Sequence, residues 1–168
     1  DLAQDFNRDF RSNNVDLVVG GPPCQGYSGI GIRRSYTVFK SDIPSNHLFQ
    51  DMAQFIYKIR PKAFIFENVA GLLTSRWTPE GIKGEIFESV LKEFNGIPNY
   101  TIEFKLVHAK DYGVPQNRPR ILIIGIRKDI LNIYSRHTSN SVHMFPTPSN
   151  DYPNIEDLLS DLVHNNFE

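Results

Sequence analysis

The stretch VDLVVGGPPCQG, residues 15–26, decides how this chain folds. It begins with a short apolar run, Val15 to Val19, and continues into two glycines and two prolines, a combination that ends regular secondary structure. The run predicts a buried strand over residues 15–19 that stops in a tight break. Cys24 follows the break directly, so we expect the strand to deliver this cysteine to the carboxyl edge of a sheet.

Outside this stretch, apolar runs alternate with helical patterns. Strands are predicted over 62–66, 100–107 and 120–126, and helices over 1–12, 48–59, 85–94 and 155–163, the last capped by Asn154. Pro61 ends the second helix. Strands separated by helices form right-handed βαβ units, so we expect an α/β fold with helices on the faces of a largely parallel sheet. Residues 27–45 show no periodicity and are predicted to form a long loop.

Composition narrows the class of protein. The 168 residues carry a net charge of −1 and a single cysteine, which excludes an internal disulfide framework and a Cys-rich zinc site. The near-neutral charge argues mildly against a protein that grips nucleic acid over its whole surface. The five histidines are not spaced as metal ligands, so no metal site is predicted. No run approaches the roughly 18 apolar residues of a membrane span. We expect an intracellular protein and, because it begins at Asp1 rather than Met, a fragment.

The predicted topology brings several polar side chains to one edge of the sheet. The strand over 15–19 ends at Cys24, and the strand over 62–66 ends at Glu67 and Asn68. If the strands over 100–107 and 120–126 pair antiparallel at the end of the sheet, the last strand begins at this same edge, where α/β sheets bind ligands. The residues expected to meet there are Cys24, Glu67, Gln116, Arg118 and Arg120.

Each of these residues also has an ordinary interpretation. A lone cysteine is most often structural, a carboxylate at a strand end is commonly solvated, and two nearby arginines often form a solvated face. Here the glycines and prolines before Cys24 favour an exposed thiolate. Burial behind four apolar residues would raise the pKa of Glu67 and keep it a proton donor. Together, a thiolate, an acid and guanidinium donors suit addition to C6 of a pyrimidine ring.

Three segments also resemble a known family. Residues 20–28 (GGPPCQGYS), 67–69 (ENV) and 116–120 (QNRPR) resemble, in the same order, the most diagnostic motifs of DNA cytosine-5 methyltransferases. Leu48-Phe49 and residues 111–115 are similar to that family's connecting segments. The resemblance implies a Rossmann-like methyltransferase sheet, mostly parallel with an antiparallel edge strand, and S-adenosyl-L-methionine as the methyl donor.

The resemblance further implies a role for each site residue. Cys24 would add to C6 of a flipped cytosine in double-stranded DNA while Glu67 engages N3, and C5 would then take the methyl group. Arg120, with Arg118 beside it, would fix O2 and the pocket wall. Asn68 would orient the loop that carries Pro23, and the loop over 27–45 would close over the base unless it is a disordered insertion. The implied substrate contacts are Gln25, Ser28, Arg33, Arg34, Asn68 and Gln116, and the implied cofactor contacts are Pro23 and Leu48.

Parts of the family pattern have no counterpart in the sequence. These are the Phe-x-Gly-x-Gly turn, the acidic residue that follows it and the target-recognition region. We therefore expect a sheet that is incomplete at the cofactor side. Residues 1–135 would be a partial catalytic domain, and 136–168 a Pro- and Asn-rich segment and short helix leading toward the recognition region. Alone, such a chain would bind S-adenosylmethionine poorly and would need the rest of the enzyme or a complementary subunit. It would act in the bacterial cytoplasm at the nucleoid, as part of restriction-modification, or in a eukaryotic nucleus.

Three other functions stay open at this point. Similar motifs occur in cytosine-5 methyltransferases that act on tRNA. A non-catalytic homologue or split-enzyme subunit is a second alternative, although the intact Cys24, Glu67 and Arg120 argue against a dead site. A cysteine hydrolase would need a histidine beside Cys24, and only His108, at the end of a predicted strand, is a candidate.

Overall fold

The computed structural model describes residues 15–23, 42–137 and 143–149, together with Asn154, Glu156, Leu159 and Ser160. The strands in these ranges are β1 (Leu17–Gly20), β2 (Ala63–Val69), β3 (Tyr100–His108) and β4 (Pro119–Arg127). The α-helices are α1 (Leu48–Ile59), α2 (Glu85–Asn95) and α3 (Lys128–His137). Short 3-10 turns cover Pro44–His47, Ala70–Thr74 and Ala109–Tyr112.

The four described strands form one sheet in the order β1-β2-β4-β3. β1 and β2 are parallel, with Gly20 opposite Phe66. β4 runs antiparallel to both β2 and β3, so Arg120 near its start pairs with Val69 at the end of β2. The α/β class and the antiparallel pairing of the last two strands are confirmed. The mostly parallel sheet is wrong for this part of the chain, because the reversed strand β4 lies inside the sheet and makes two of the three strand pairs antiparallel.

The core lies between one face of the sheet and helices α1 and α2. Phe64 and Phe66 of β2 project into this layer and are almost fully buried. The helices contribute the apolar stripes that the sequence predicted. The most completely covered residues around the two phenylalanines are Ile56, Ile86, Val90, Phe94, Ile121 and Ile123. This packing fixes β2 and β4 side by side, and with them the edge at which one ends and the other begins.

Local chemistry explains where the elements around this edge end. α1 stops at Arg60, which adopts a left-handed conformation with φ 54°, and buried Pro61 prevents the helix from continuing, as predicted. β2 continues to Val69, three residues beyond its predicted end, because its ladder with β4 extends that far. Glu67 and Asn68 therefore lie inside a strand rather than after it.

The remaining sequence predictions have mixed outcomes. The strands predicted over 15–19, 100–107 and 120–126 and the helix over 85–94 are confirmed to within two residues, whereas α3 was not predicted. The helix predicted over 1–12 and residues 27–41 of the predicted loop lie outside the described residues. Of the helix predicted over 155–163, the structure describes only Glu156, Leu159 and Ser160, and Asn154 Oδ1 accepts a hydrogen bond from Glu156 N at 3.1 Å. Within the described ranges, no helix has both the length and the apolar character needed to cross a membrane.

Candidate active site

Two of the predicted site residues form an ion pair at the carboxyl end of β2. Arg120 Nε lies 2.7 Å from Glu67 Oε1. The pairing follows from the register, because Arg120 lies opposite Val69, two residues beyond Glu67 and on the same face of the sheet. The Glu67 side chain is 40% exposed and that of Arg120 is 19% exposed. The predicted acid and one of the predicted guanidiniums therefore meet at one edge.

Glu67 is more exposed than the sequence predicted. Its expected burial rested on the four apolar residues before it, but only alternate residues, Phe64 and Phe66, face the core. Glu67 shares its face of β2 with Ala63 and Ile65, and that face is less covered. The expected burial is therefore wrong, and the carboxyl group is held by Arg120 rather than by an apolar surround.

Asn68 connects the end of β2 to the break after β1. Its Nδ2 donates a hydrogen bond to Pro22 O at 3.2 Å, and its Oδ1 accepts one from Val69 N at 2.9 Å. The residue is 4% exposed, so these bonds satisfy an amide whose burial would otherwise be costly. Pro22 lies two residues before Cys24, so Asn68 holds the backbone just ahead of the predicted nucleophile.

Gln116 and Arg118 lie exposed in the turn that leads into β4. The turn is tight, since Arg118 N donates to Gln116 O at 3.0 Å. His108 Nδ1, at the end of β3, lies 3.2 Å from Asn117 Oδ1 and so links the turn to the neighbouring strand. The turn opens at the edge where Arg120 lies, but Arg118 belongs to the turn and not to the strand.

The predicted cofactor contacts are Pro23, exposed after β1, and Leu48, half-buried at the start of α1. Pro23 borders a cavity of about 10 Å³ that Pro22, Asn46 and Asn68 also line. Such a volume holds about one water molecule, whereas ligand pockets measure roughly 300 Å³ or more. The part of the chain that the structure describes therefore forms no pocket of cofactor size at Pro23.

Asn46 was not singled out from the sequence, although it lies in the wall of this cavity. It is 1% exposed, one of the few buried polar residues in the described ranges. An asparagine shortly before a helix usually serves as an exposed cap, so no sequence signal distinguished it. It lies with Asn68 in the layer behind the Pro22–Pro23 segment.

The whole chain matches a known family. The family model for C-5 cytosine-specific DNA methylase covers residues 1–168. The chain belongs to this family. Type II methyltransferase M1.HphI of Haemophilus parahaemolyticus is 36% identical to the methylase chain over 154 residues, which are 90% of this chain and 36% of that protein. Type II methyltransferase M.FnuDI of Fusobacterium nucleatum is 35% identical over 150 residues, 89% of this chain and 38% of that protein. The methylase chain thus spans less than two fifths of either relative.

A solved structure shares the fold of this methylase chain. It is described as a DNA modification methyltransferase encoded within an E. coli prophage, and it superposes with a TM-score of 0.63 at 24% identity. The match covers 94% of this chain and 38% of that one. The open α/β sheet of a methyltransferase and the family predicted from three motifs are thereby confirmed.

For the methylase residues nearest the proposed chemistry, the roles inferred from sequence stay predictions. Cys24, Gln25, Ser28, Arg33 and Arg34 lie outside the described residues. In the ranges that are described, no three His, Asp or Glu side chains are grouped as metal ligands would be. What the structure does supply is the arrangement of β1, β2 and β4 and of the turn before β4.

Proposed function

We propose that this chain is the catalytic segment of an enzyme that methylates C5 of cytosine in double-stranded DNA through a covalent bond between Cys24 and C6. The observation that carries the proposal is the 2.7 Å ion pair of Glu67 and Arg120 beside the segment that leads to Cys24. Asn68 joins the two parts of this edge through its hydrogen bond to Pro22 O. An acid, guanidinium donors and a thiol at one edge are what addition to a pyrimidine requires.

In the proposed reaction, the Cys24 thiolate donates an electron pair to C6 and the C5–C6 double bond opens. Glu67, in its protonated form, hydrogen-bonds to N3 and supplies that proton as negative charge develops on the ring. C5 would then form its bond to the methyl group as the S–CH3 bond of the methyl donor breaks and leaves its electron pair on sulfur, and C5 would lose its own proton to a base. Elimination of Cys24 from C6 restores the double bond, and N3 returns its proton to Glu67. Stacked ring atoms are out of reach inside a duplex, so the base must first be flipped out.

We propose that Arg120 acts on both Glu67 and the cytosine. Its Nε contacts Glu67, and its Nη1 donates to Pro119 O at 2.8 Å. We assign its Nη2 to the exocyclic O2 of cytosine, where a guanidinium would stabilise charge on the ring. The residues assigned to the pocket wall and to contacts with the DNA are Arg118, Gln116, Gln25, Ser28, Arg33 and Arg34. Of these, Arg33 and Arg34 are assigned to phosphates.

β1 supports the proposal that further polypeptide completes the catalytic unit. Leu17 and Val19 lie on one face of β1 and are 50% and 63% exposed. On the same face of the sheet, β3 at the opposite edge carries the charged residues Glu103 and Lys105. Charged side chains are typical of a strand whose edge stays exposed to solvent. Parallel strands are normally covered on both faces. We therefore propose that the remainder of the enzyme, or a complementary subunit, packs on β1 and completes the site for the methyl donor, S-adenosylmethionine.

The biological setting of this proposal comes from the relatives. Those named above are bacterial Type II methyltransferases. We propose that the enzyme acts on bacterial DNA in the cytoplasm as part of a restriction-modification system. Residues 136–168 would lead from the catalytic domain toward the part that reads the target sequence.

A mechanism-based trap tests the proposed function. The chain is mixed with the remainder of the enzyme, S-adenosylmethionine and a duplex carrying 5-fluorocytosine. Its fluorine takes the place of the C5 proton and cannot be removed by a base, so the adduct persists. Peptide mapping is expected to find the DNA attached to Cys24, and Cys24→Ala is expected to form no adduct. The absence of an adduct with the complemented enzyme, or an equal adduct with Cys24→Ala, contradicts the proposal. Faster trapping by a fluorinated tRNA than by the duplex assigns the activity to RNA instead.

A further inference from the structure

Gly21, which directly follows β1, lies against the carboxyl group of Glu67. A Cβ at Gly21 would lie 3.0 Å from Glu67 Oε2 and 3.6 Å from Glu67 O. The register explains this approach, because Gly20 lies opposite Phe66 and the next residue of the parallel chain passes alongside Glu67. A side chain at position 21 would therefore crowd the carboxyl group, which would have to give way by a few tenths of an ångström.

The other oxygen of the same carboxyl group is held from the opposite side. Arg120 Nε contacts Glu67 Oε1 at 2.7 Å, and Arg120 belongs to β4, on the other flank of β2. The Glu67 carboxyl group thus lies between two chain segments. Arg120 of β4 forms an ion pair with it on one side, and the backbone of Gly21 lies against it on the other. Glu67 cannot move away from a new side chain at position 21 without disturbing its contact with Arg120.

We infer that Gly21 is a positioning residue of the proposed site: its missing side chain sets where Glu67 Oε2 lies, and Oε2 is the oxygen that meets N3 of the base. Arg120 engages Oε1, whereas Oε2 lies beside the segment that leads through Pro22 and Pro23 to the nucleophile. The inference rests on the proposed function, which supplies the base. A methyl group at position 21 would require the Glu67 carboxyl group to give way by a few tenths of an ångström. Since a displacement of about 1 Å at a reacting group can slow a reaction about 100-fold, this smaller shift should slow it by a factor of several.

The neighbouring glycine provides a matched control. A Cβ at Gly20 would point to the core side of β1 and meet Met52 Sδ of α1 at 2.7 Å, the far end of a flexible side chain. Neither Gly20 nor Gly21 has a positive φ, so alanine is compatible with the backbone at both positions. Gly20→Ala and Gly21→Ala therefore add the same group to opposite faces, and only the second touches Glu67.

A double-mutant cycle in the complemented enzyme tests the inference. The rate of 5-fluorocytosine adduct formation and the KM for DNA are measured for Gly20→Ala, Gly21→Ala, Glu67→Ala and the Gly21→Ala/Glu67→Ala double variant, with thermal unfolding as a check on folding. Gly21→Ala is expected to slow adduct formation by about 3- to 10-fold with little change in KM, and Gly20→Ala by less than about twofold. In the Glu67→Ala background, Gly21→Ala is expected to have no further effect, because the group it displaces is gone.

A crystal structure of the Gly21→Ala chain adds a readout that does not depend on activity. We expect the Glu67 carboxyl group to be displaced and its ion pair with Arg120 lengthened. The inference is overturned if the carboxyl group stays in place, if Gly21→Ala is no slower than Gly20→Ala, or if its effect persists in the Glu67→Ala background. A wild-type enzyme that forms no adduct overturns the proposed function, while the crystal structure still tests the role of Gly21. An active enzyme that depends on Glu67 but tolerates Gly21→Ala overturns this inference alone.

Discussion

A substitution can test the contribution of the ionisable group of Glu67 separately from that of its size. Glu67→Gln keeps the size of the side chain but removes the acid, so adduct formation should slow by about 100- to 10,000-fold. The unfolding free energy should change by less than about 1 kcal/mol, because the ion pair with Arg120 is partly exposed. Glu103→Gln, an exposed site on β3, is the matched control. Trapping rates and urea unfolding measure both effects, and equal rates for the two variants would show that Glu67 is not the acid.

The meeting of Glu67 and Arg120 could be predicted from the sequence, but the surroundings of these residues could not. The prediction assumed that the last two strands pair antiparallel, which places the start of the last strand at the edge where the strand before Glu67 ends. The exposure of Glu67 depends on which face of β2 the helices cover, and four consecutive apolar residues do not reveal that face. The burial of Asn46 and the contact of Gly21 with Glu67 depend on neighbours distant in the chain.

Gly125 of β4 lies opposite Phe64 of β2 and faces its ring. A Cβ at Gly125 would collide with that ring, so Gly125→Ala should lower the unfolding free energy by about 1–3 kcal/mol through overpacking. Urea unfolding measures the loss. The same substitution should cost less in a Phe64→Leu background, where the ring is absent. A Gly125→Ala chain as stable as the wild type would contradict the described packing of this strand pair.

The start of β3 is tied to the link between α1 and β2. The hydroxyl of Tyr100 donates to Pro61 O at 2.5 Å, and burial raises the pKa of Tyr100 from 10.0 to about 12. The folded state holds this proton more tightly, so the stabilisation is complete below about pH 10 and is lost as the pH rises to about 12, a fall on the order of 2–3 kcal/mol. Urea unfolding across this range should show the fall. Tyr100→Phe should flatten it, whereas Tyr57→Phe, at a side chain that is 59% exposed, should not. An unchanged slope in Tyr100→Phe would assign the fall to other groups.

The sequence predicted the end of an element where residues close by in the chain determine that end. Pro61 predicted the end of α1, because proline cannot continue a helix. The end of β2 at Val69 depends on a ladder with β4, about 50 residues later in the chain, so the sequence around it carried no signal. α3 was missed, although Ile130, Ile133 and Tyr134 recur at helical spacings of three and four. In the fold, Ile133 and Tyr134 are each 53% exposed.

The two unlike edges of the sheet lead to a prediction for the whole molecule. In the isolated chain, Val19→Lys should change the unfolding free energy by less than about 1 kcal/mol, because Val19 is 63% exposed. Packing of the remaining polypeptide on β1 would bury the new charge, so the apparent affinity between the two parts should fall at least about 10-fold. This affinity is measured by titrating the remaining polypeptide into the variant chain and recording adduct formation. Thr101→Lys, exposed on β3 at the opposite edge, should complement normally. Equal complementation by both variants would exclude β1 as the junction.

β4 carries Arg120 and is hydrogen-bonded to β2 on one side and to β3 on the other. This double pairing fixes the register of β4. A slip of one residue would turn Arg120 toward the helices and break the register with β2 and β3 at once. The backbone positions of Arg120 and Glu67 are therefore set by the sheet before any ligand binds. In the proposed reaction, adjustment to the flipped cytosine would come from the two side chains and from segments outside the strands.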